Sequence, residues 1–517
     1  MIKKPTLVIA GPGAGKTYGM VNEIITSLKI LSPARYMIVI TYTNSATNNI
    51  KNRLSKRIQI PPNLFIGTMH SFLNKFIVIP FSTFQNTNVK GEKLFIQCQT
   101  TDIFEKMKKT NGKTYDYKAA NFIKKRIKTA MNQNGYITYD QTISLAKECF
   151  ENKKIRRIVS NRIQYLFVDE FQDTGNHIFS IIDAIRKEKR TAIYCVGDPE
   201  QYIQSFDSSI KQFSNIPILK TTSVSSYVLH LNTDNHRSTI SITNFLNNFN
   251  DRIFGTTKFQ QVSQSSIEGE SVKFIDKPGD ISNMLPEYFS VCENLKIGNN
   301  DRCILAKQNT IINRIISALD NNYLSPSKGN NLSPIQEIKA TLLSSLNLNQ
   351  TEYCKQLNAT IFDLRINCIL ILKAIKSGII NNENTFYNFV KSELKLNIVP
   401  KVPVKIKNLR IYSPAISKEN AIVVSNIHNF KGLESEAILA IAKTEDELLL
   451  WIETNQEIRD AKRDNENTDY PRLGYVAFSR AKKLLCISCL ESINDETRRK
   501  LTNLKVSFIG QYRLDLI

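Results

Sequence analysis

The segment AGPGAGKT at residues 10–17 constrains this chain more than any other feature. It follows the short apolar run PTLVIA (5–10) and leads into an amphipathic stretch that extends to about residue 31. A strand, a glycine-rich turn and a helix opening on Lys-Thr form the pattern of a phosphate-binding loop, with Ala10 at the first glycine position. Gly11, Pro12, Gly13, Ala14 and Gly15 keep the turn small, so that backbone N–H groups can wrap phosphates in front of the positive end of a helix. Lys16 would reach the β- and γ-phosphates, and the Thr17 hydroxyl would ligate Mg²⁺.

Such a loop needs a buried parallel sheet behind it, and the sequence supplies one. MIVITYT (37–43), YLFVDE (165–170) and AIYCVGD (192–198) are continuous apolar runs of strand length. Two of them end in acids. In VDEFQD (168–173), Asp169 can hold Mg²⁺ through its water shell, and Glu170 can accept a proton from an attacking water. In VGDPEQ (196–201), Gln201 is an uncharged group able to hold a water or sense a γ-phosphate.

A second α/β pattern begins after residue 237, at SVKFID (271–276) and RCILA (302–306), and resumes at NAIVVSN (420–426), EAILAIA (436–442) and KLLCISCL (483–490). Between the strands of each half lies a region that reads as helical, about 85–159 and about 331–397. Residues 101–130 hold nine Lys or Arg against three acids. That stretch suits a phosphate track or, equally, a solvated charged helix. The whole chain of 517 residues carries a net charge of +22, which favours a polyanionic partner, most simply nucleic acid. No apolar run approaches the ~20 residues of a membrane span. Nine scattered cysteines argue against a disulfide framework and fit a reducing, cytoplasmic setting. The basic start with only a short apolar run argues against a cleaved signal peptide. The CxxC of Cys486 and Cys489 lies inside a strand-like run and reads as core.

Seven segments besides the phosphate loop, two of them extending the acidic strand ends, occur in order: TYTNSATNNIKNRL (41–54), GTMHSF (67–72), DEFQD (169–173), GDPEQYIQSF (197–206), LNTDNHRS (231–238), NIHNFKGLE (426–434) and YVAFSRA (475–481). Together with the phosphate loop they resemble the motifs of the UvrD/Rep group of superfamily 1 DNA helicases over nearly the whole chain. The resemblance implies an α/β fold of two RecA-like parallel-sheet domains of the P-loop NTPase type, each with a mainly helical insertion. The first domain is expected at 1–84 and 160–235 with a basic helical insertion at 85–159. The second is expected at 236–330 and 398–517 with a reduced helical insertion at 331–397.

It also implies an ATP-dependent 3′→5′ helicase or translocase on single-stranded or partly duplex DNA, with ATP, or other NTPs, and Mg²⁺ as cofactors. Arg237 and Arg480 would reach the γ-phosphate from the second domain, as guanidinium groups suited to spreading positive charge over the transferring oxygens. His236 and Glu434 would contribute to the nucleotide side of the cleft. Tyr42 and Phe206 would stack on bases, and Thr41, Asn44, Thr68, His70 and His428 would lie near the DNA backbone. Tyr42 could instead be sheet core, and the two histidines structural. His236 stands where the group has Tyr or Phe, and no glutamine precedes Ala10, so base discrimination is expected to be weak. The compact form resembles the helicase component of the Gabija anti-phage defence system, which partners an OLD-family nuclease. Two other readings stay open: an NTPase subunit that senses DNA and regulates a nuclease without processive unwinding, and a non-catalytic DNA-binding scaffold.

Overall fold

The computed structural model of the chain describes residues 4–85, 94–96, 99–112, 114–203, 210–319, 323–324, 334–397, 421–466 and 469–509. The chain divides into two compact units. One comprises residues 1–297, 302–315 and 426–517, and the other residues 298–301 and 316–425.

The first unit holds two parallel sheets. In the first sheet β1 is Thr6–Ala10, β2 Tyr36–Thr41, β3 Leu64–Thr68, β4 Ile163–Val168, β5 Ala192–Gly197 and β6 Val228–Asn232. Their order across the sheet is β3-β2-β4-β5-β1-β6, with every neighbour parallel. The strands are apolar at consecutive positions because the sheet is covered on both faces. Ile38 and Ile40 of β2 enter one core cluster while Met37 and Val39 enter another, and Leu166 and Val168 of β4 are divided from Tyr165 and Phe167 in the same way.

Helix α1 (Lys16–Leu28) follows β1 and buries Met20, Val21 and Ile24 in the second cluster. Burial of each such side chain contributes roughly 1.5–3 kcal/mol. Helix α2 (Asn44–Ser55) follows β2; the Thr43 hydroxyl caps it by accepting from the Ala46 N–H at 3.0 Å, and Ile50 and Leu54 supply its apolar stripe. Next come α3 (Thr100–Asn111), α4 (Tyr117–Gln133), α5 (Thr142–Glu151) and α6 (Lys153–Arg162). The last two join the first cluster through Leu145, Ala146, Cys149, Phe150, Ile155 and Val159. Helix α7 (Asn176–Lys187) packs there too, through Ile178, Ile181, Ile182 and Ile185.

The second sheet of this unit includes β9 (Lys273–Ile275), β10 (Arg302–Ala306), β11 (Ser435–Ala442), β12 (Ala481–Cys489) and β13 (Ser507–Ile509). They run in the order β10-β11-β12-β9-β13, again all parallel. A small parallel pair, β7 (Asp234–Asn235) with β8 (Val262–Ser263), lies between α8 (Ile240–Asn247) and the phosphate-loop side of the first sheet. The α/β class with two parallel sheets is therefore established.

The second unit is chiefly helical. Helices α9 (Pro334–Ser345), α10 (Ile361–Lys376) and α11 (Glu383–Ser392) share a core that includes Ile338, Leu342, Leu364, Ile371, Phe386 and Val390. The eight described cysteines are free, and Cys486 and Cys489 are buried in β12. Among the described residues, no helix is long and apolar enough to cross a membrane.

Candidate active site

The phosphate loop turns between β1 and α1. Gly13 and Gly15 adopt φ of 75° and 70°, backbone that favours glycine. Gly13 also has no room for a side chain, since a Cβ there would lie 2.3 Å from the Asn235 Oδ1. Lys16 extends its ammonium over the loop, donating to the carbonyls of Ala10 and Gly11 at 3.3 Å each. A cleft of about 630 Å³ opens in front of it, lined by the loop, Thr17, Glu170, Gln201, His236, Arg237, Glu434 and Arg480.

Asp169 and Glu170 follow the last residue of β4. The Asp169 N–H donates to the Ile40 carbonyl at 3.0 Å, which extends the sheet pairing and delivers the carboxylate to the strand end. Asp169 is buried and accepts a hydrogen bond from Thr17. Burial, and then the charge of Glu170, push its carboxyl up to about 7. Glu170 has φ of 48°, left-handed backbone for a non-glycine residue, and accepts from the Gln172 amide at 2.5 Å. Burial works to raise its pKa, but the ammonium groups of Lys16 and Lys431 outweigh it and hold Glu170 below the ordinary carboxylate range. The two adjacent acids are thus driven apart in protonation.

Gln201 donates to Asp198 Oδ2 at 2.9 Å and accepts from Arg480 Nη2 at 3.2 Å. Arg480, between α12 (Tyr470–Phe478) and β12, also donates from Nε to the Val476 carbonyl at 2.9 Å. Burial and the neighbouring Arg237 lower its guanidinium to about 9. Arg237 binds Glu434 through Nε at 2.7 Å and the Ser479 carbonyl through Nη1 at 2.9 Å. Lys431 joins the two strand-end motifs by donating to both Asp173 oxygens at 2.8 Å and to the Gln201 carbonyl at 2.9 Å. His236 donates its backbone N–H to the Gly13 carbonyl at 3.0 Å and keeps its imidazole largely exposed at the cleft.

This donor set fits a Mg²⁺-nucleotide. The loop offers small residues and N–H groups for phosphates, while the Thr17 hydroxyl and Asp169 carboxylate are hard oxygen donors already in contact.

Of the positions expected to meet DNA, Thr41 and Thr68 are register partners at the ends of β2 and β3. Thr41 is fully buried and spends its hydroxyl on Thr47 at 2.7 Å and the Thr43 carbonyl at 3.1 Å, so it supports the start of α2 and does not reach the surface. Tyr42 is half-buried against the first core cluster, with its hydroxyl 2.5 Å from that of Thr174. Asn44 is exposed at the first turn of α2. Thr68 caps the short helix Met69–Leu73. His70 stacks on Tyr139 with ring centroids 4.0 Å apart, and burial lowers its pKa. His428 is exposed. Phe206 lies outside the described residues.

Other residues at the cleft escaped sequence reasoning. Tyr18 is 59% exposed and lines it, as do Asn49 and Arg53 of α2. The residue after Lys-Thr and the i, i+4 spacing of Asn49 and Arg53 were available signals. Glu200, next to Gln201, is fully buried among Arg252, Arg459 and Arg472, at 2.6, 3.0 and 3.5 Å. These partners are 52 to 272 positions away, and no local pattern announces them.

Comparison with known proteins follows the same lines. Residues 1–207 match the AAA domain family. The ATP-dependent DNA helicase Rep of Buchnera aphidicola subsp. Acyrthosiphon pisum (strain APS) is 25% identical over 260 residues, 42% of this chain and 40% of the relative. The chain resembles the UvrD/Rep-like helicases. The Rep protein of Escherichia coli (strain K12) is 26% identical over 237 residues, 39% of this chain and 35% of the relative. The Gabija protein GajB of Bacillus cereus (strain VD045) is 26% identical over 267 residues, 50% of this chain and 49% of the relative. The matched part thus spans half or less of each of these UvrD/Rep-like relatives.

Proposed function

We propose that this chain is an ATP-driven motor that moves 3′→5′ along single-stranded DNA in the cytoplasm. The observation that carries this reading is the convergence on one cleft of Lys16, Glu170, Gln201, Arg237 and Arg480, drawn from five separated segments.

In this reading Lys16 and the loop N–H groups bind the phosphates, and Thr17 and Asp169 hold Mg²⁺. When bound, Mg²⁺ neutralises charge on the phosphate oxygens. Glu170, kept ionised by Lys16 and Lys431, takes the proton of the attacking water. Gln201 orients that water. Arg237 and Arg480 spread positive charge over the transferring group. Their present partners, Glu434 and Gln201, can be exchanged for phosphate oxygens, which links nucleotide state to the segments bearing the arginines. His236 presents a largely exposed imidazole at the cleft where the group has Tyr or Phe, so ATP and GTP are turned over within about tenfold of each other, ~1.4 kcal/mol.

A second reading has its own support in the likeness to GajB over half of each chain. Here the chain is a DNA-sensing NTPase subunit that regulates an OLD-family nuclease partner in anti-phage defence. A strand-separation assay run beside a DNA-stimulated hydrolysis assay distinguishes the two. Hydrolysis with unwinding supports the motor. Hydrolysis without unwinding supports the sensor, and absence of both supports the scaffold.

A further inference from the structure

Three consecutive carbonyls of the phosphate loop are held from outside it. The Gln261 Nε2 donates to the Pro12 carbonyl at 2.8 Å, the His236 backbone N–H to the Gly13 carbonyl at 3.0 Å, and the Asn232 Nδ2 to the Ala14 carbonyl at 3.0 Å. A peptide whose carbonyl is pinned on one side presents its following N–H on the other. The donors on Pro12 and Ala14 therefore turn the N–H groups of Gly13 and Gly15 toward the cleft, while the Ala14 N–H closes the turn on the Gly11 carbonyl at 3.3 Å. Two of the three donors belong to β6 and to the bend after β7, a short way downstream of the strand-end motifs. The third comes from a segment that no motif covers.

Gln261 is 5% exposed and wedged against the loop. A Cβ on Gly11 would lie 2.4 Å from its amide carbon. Its backbone is fixed by a reciprocal pair with Asn247 of α8, the Gln261 N–H donating to Asn247 Oδ1 at 2.8 Å and the Asn247 Nδ2 donating to the Gln261 carbonyl at 2.9 Å. The Pro12 carbonyl can only accept, so the amide nitrogen must face it. That leaves Oε1 buried with no hydrogen-bond partner among the described residues. Burying an unmatched acceptor is unfavourable, and a methionine of similar length would fill the space without it. The position therefore needs the donor. The next residues, Val262 and Ser263 of β8, pair with Asp234 and Asn235, and the Asn235 Oδ1 accepts from the Arg237 N–H at 2.9 Å. One short segment thus sets both the loop and the arginine that faces it.

We propose that Gln261 is a positioning residue for nucleotide binding, its amide N–H holding the Pro12 carbonyl out of the cleft and so preorganising the phosphate loop. The proposal rests on the reading of the cleft as a nucleotide site. Two variants of the full chain test it. Gln261→Met keeps the bulk against Gly11 and loses the donor. Gln261→Glu keeps the shape and, when ionised, sets an acceptor against an acceptor; protonated, it donates again. With a fluorescent Mg²⁺-ATP analogue as probe, both variants should bind about tenfold more weakly than wild type at pH 8, the size expected for a lost buried hydrogen bond. Gln261→Glu should recover toward wild type as pH falls to 6, while Gln261→Met should not. Hydrogen exchange at the amides of residues 11–17 in the nucleotide-free chain should quicken in Gln261→Met. Variants with wild-type exchange and wild-type affinity would overturn the proposal. A wild-type chain that bound no nucleotide, with exchange still faster in Gln261→Met, would overturn the reading of the cleft and leave the clamp supported.

Discussion

Arg480 donates from Nη2 to the side-chain carbonyl of Gln201 at 3.2 Å, with both residues buried. The Gln201 amide nitrogen is committed to Asp198 at 2.9 Å, so the oxygen must face the arginine. A neutral amide is a weak partner for a cation that burial and Arg237 already make unfavourable. An arriving anion is a better one. This pair is where the strand-end motif of the first sheet meets the arginine that leads into the second, and exchange of the amide for phosphate oxygens is the simplest way the cleft can register its ligand.

Glu170→Gln should keep Mg²⁺-nucleotide affinity within a few-fold, because Asp169 and Thr17 retain the metal, and lose turnover by about 10²–10⁴-fold through removal of the general base. Parallel binding and single-turnover measurements check this. Loss of binding with residual chemistry intact would assign Glu170 to the metal and not to the water.

The buried hub around Glu200 makes a stability prediction. Arg252, Arg459 and Arg472 converge on this one carboxylate, and Arg472 also lies 3.3 Å from the Phe213 ring centroid. Glu200→Ala leaves those guanidinium groups without their shared anion, a change that costs about 3–5 kcal/mol when a buried pair is broken. Urea unfolding should show it as a lower midpoint. Asp460 also pairs with Arg252, at 2.7 Å, and with Arg472, and a loss below about 1 kcal/mol would mean that this second carboxylate suffices for them.

Asp169 gives the pH dependence. Its carboxyl titrates near 7 in the fold, against an ordinary aspartate value of 3.8. Between those values the folded chain holds a proton that the unfolded chain has released, so this residue contributes less stability as pH rises through the window. In the nucleotide-free chain, the Tm of Asp169→Asn relative to wild type should therefore grow from pH 4 to pH 7.5. Parallel pH profiles for the two proteins would contradict the assignment.

The basic helix α4 supplies a test of DNA contact. Lys118, Asn121, Phe122, Lys125, Arg126 and Thr129 share its exposed face, with Phe122 63% exposed, and Tyr117, the first residue of the helix, is 83% exposed. Cations interleaved with bare aromatics suit a single strand, since phosphates meet the charges and bases stack on the rings. Removing Lys118, Lys125 and Arg126 together should reduce the log–log salt slope of single-strand binding by about 2. An unchanged slope would make the helix a solvated face.

Much of the fold was legible because its signals are local. Strands buried on both faces must be apolar at consecutive positions, as MIVITYT is, and a phosphate loop must place glycine where φ is positive, as at Gly13 and Gly15. What sequence could not supply was the facing of side chains and their distant partners. Tyr42 follows the last residue of β2, and only the fold reveals that its hydroxyl is bound to Thr174. Gln261 sits in a segment without any motif, and its meaning depends on a carbonyl 249 residues away. Glu200 lies inside a recognised motif, yet its role depends on two arginines more than 250 positions downstream.

The most direct test is ATP hydrolysis by the full chain with and without single-stranded DNA, beside Lys16→Ala. Hydrolysis should rise on addition of single-stranded DNA, and Lys16→Ala should show none above background while its melting temperature stays near that of wild type. Hydrolysis at the wild-type rate in Lys16→Ala, or a wild-type chain inert toward ATP in the presence of single-stranded DNA, would contradict it.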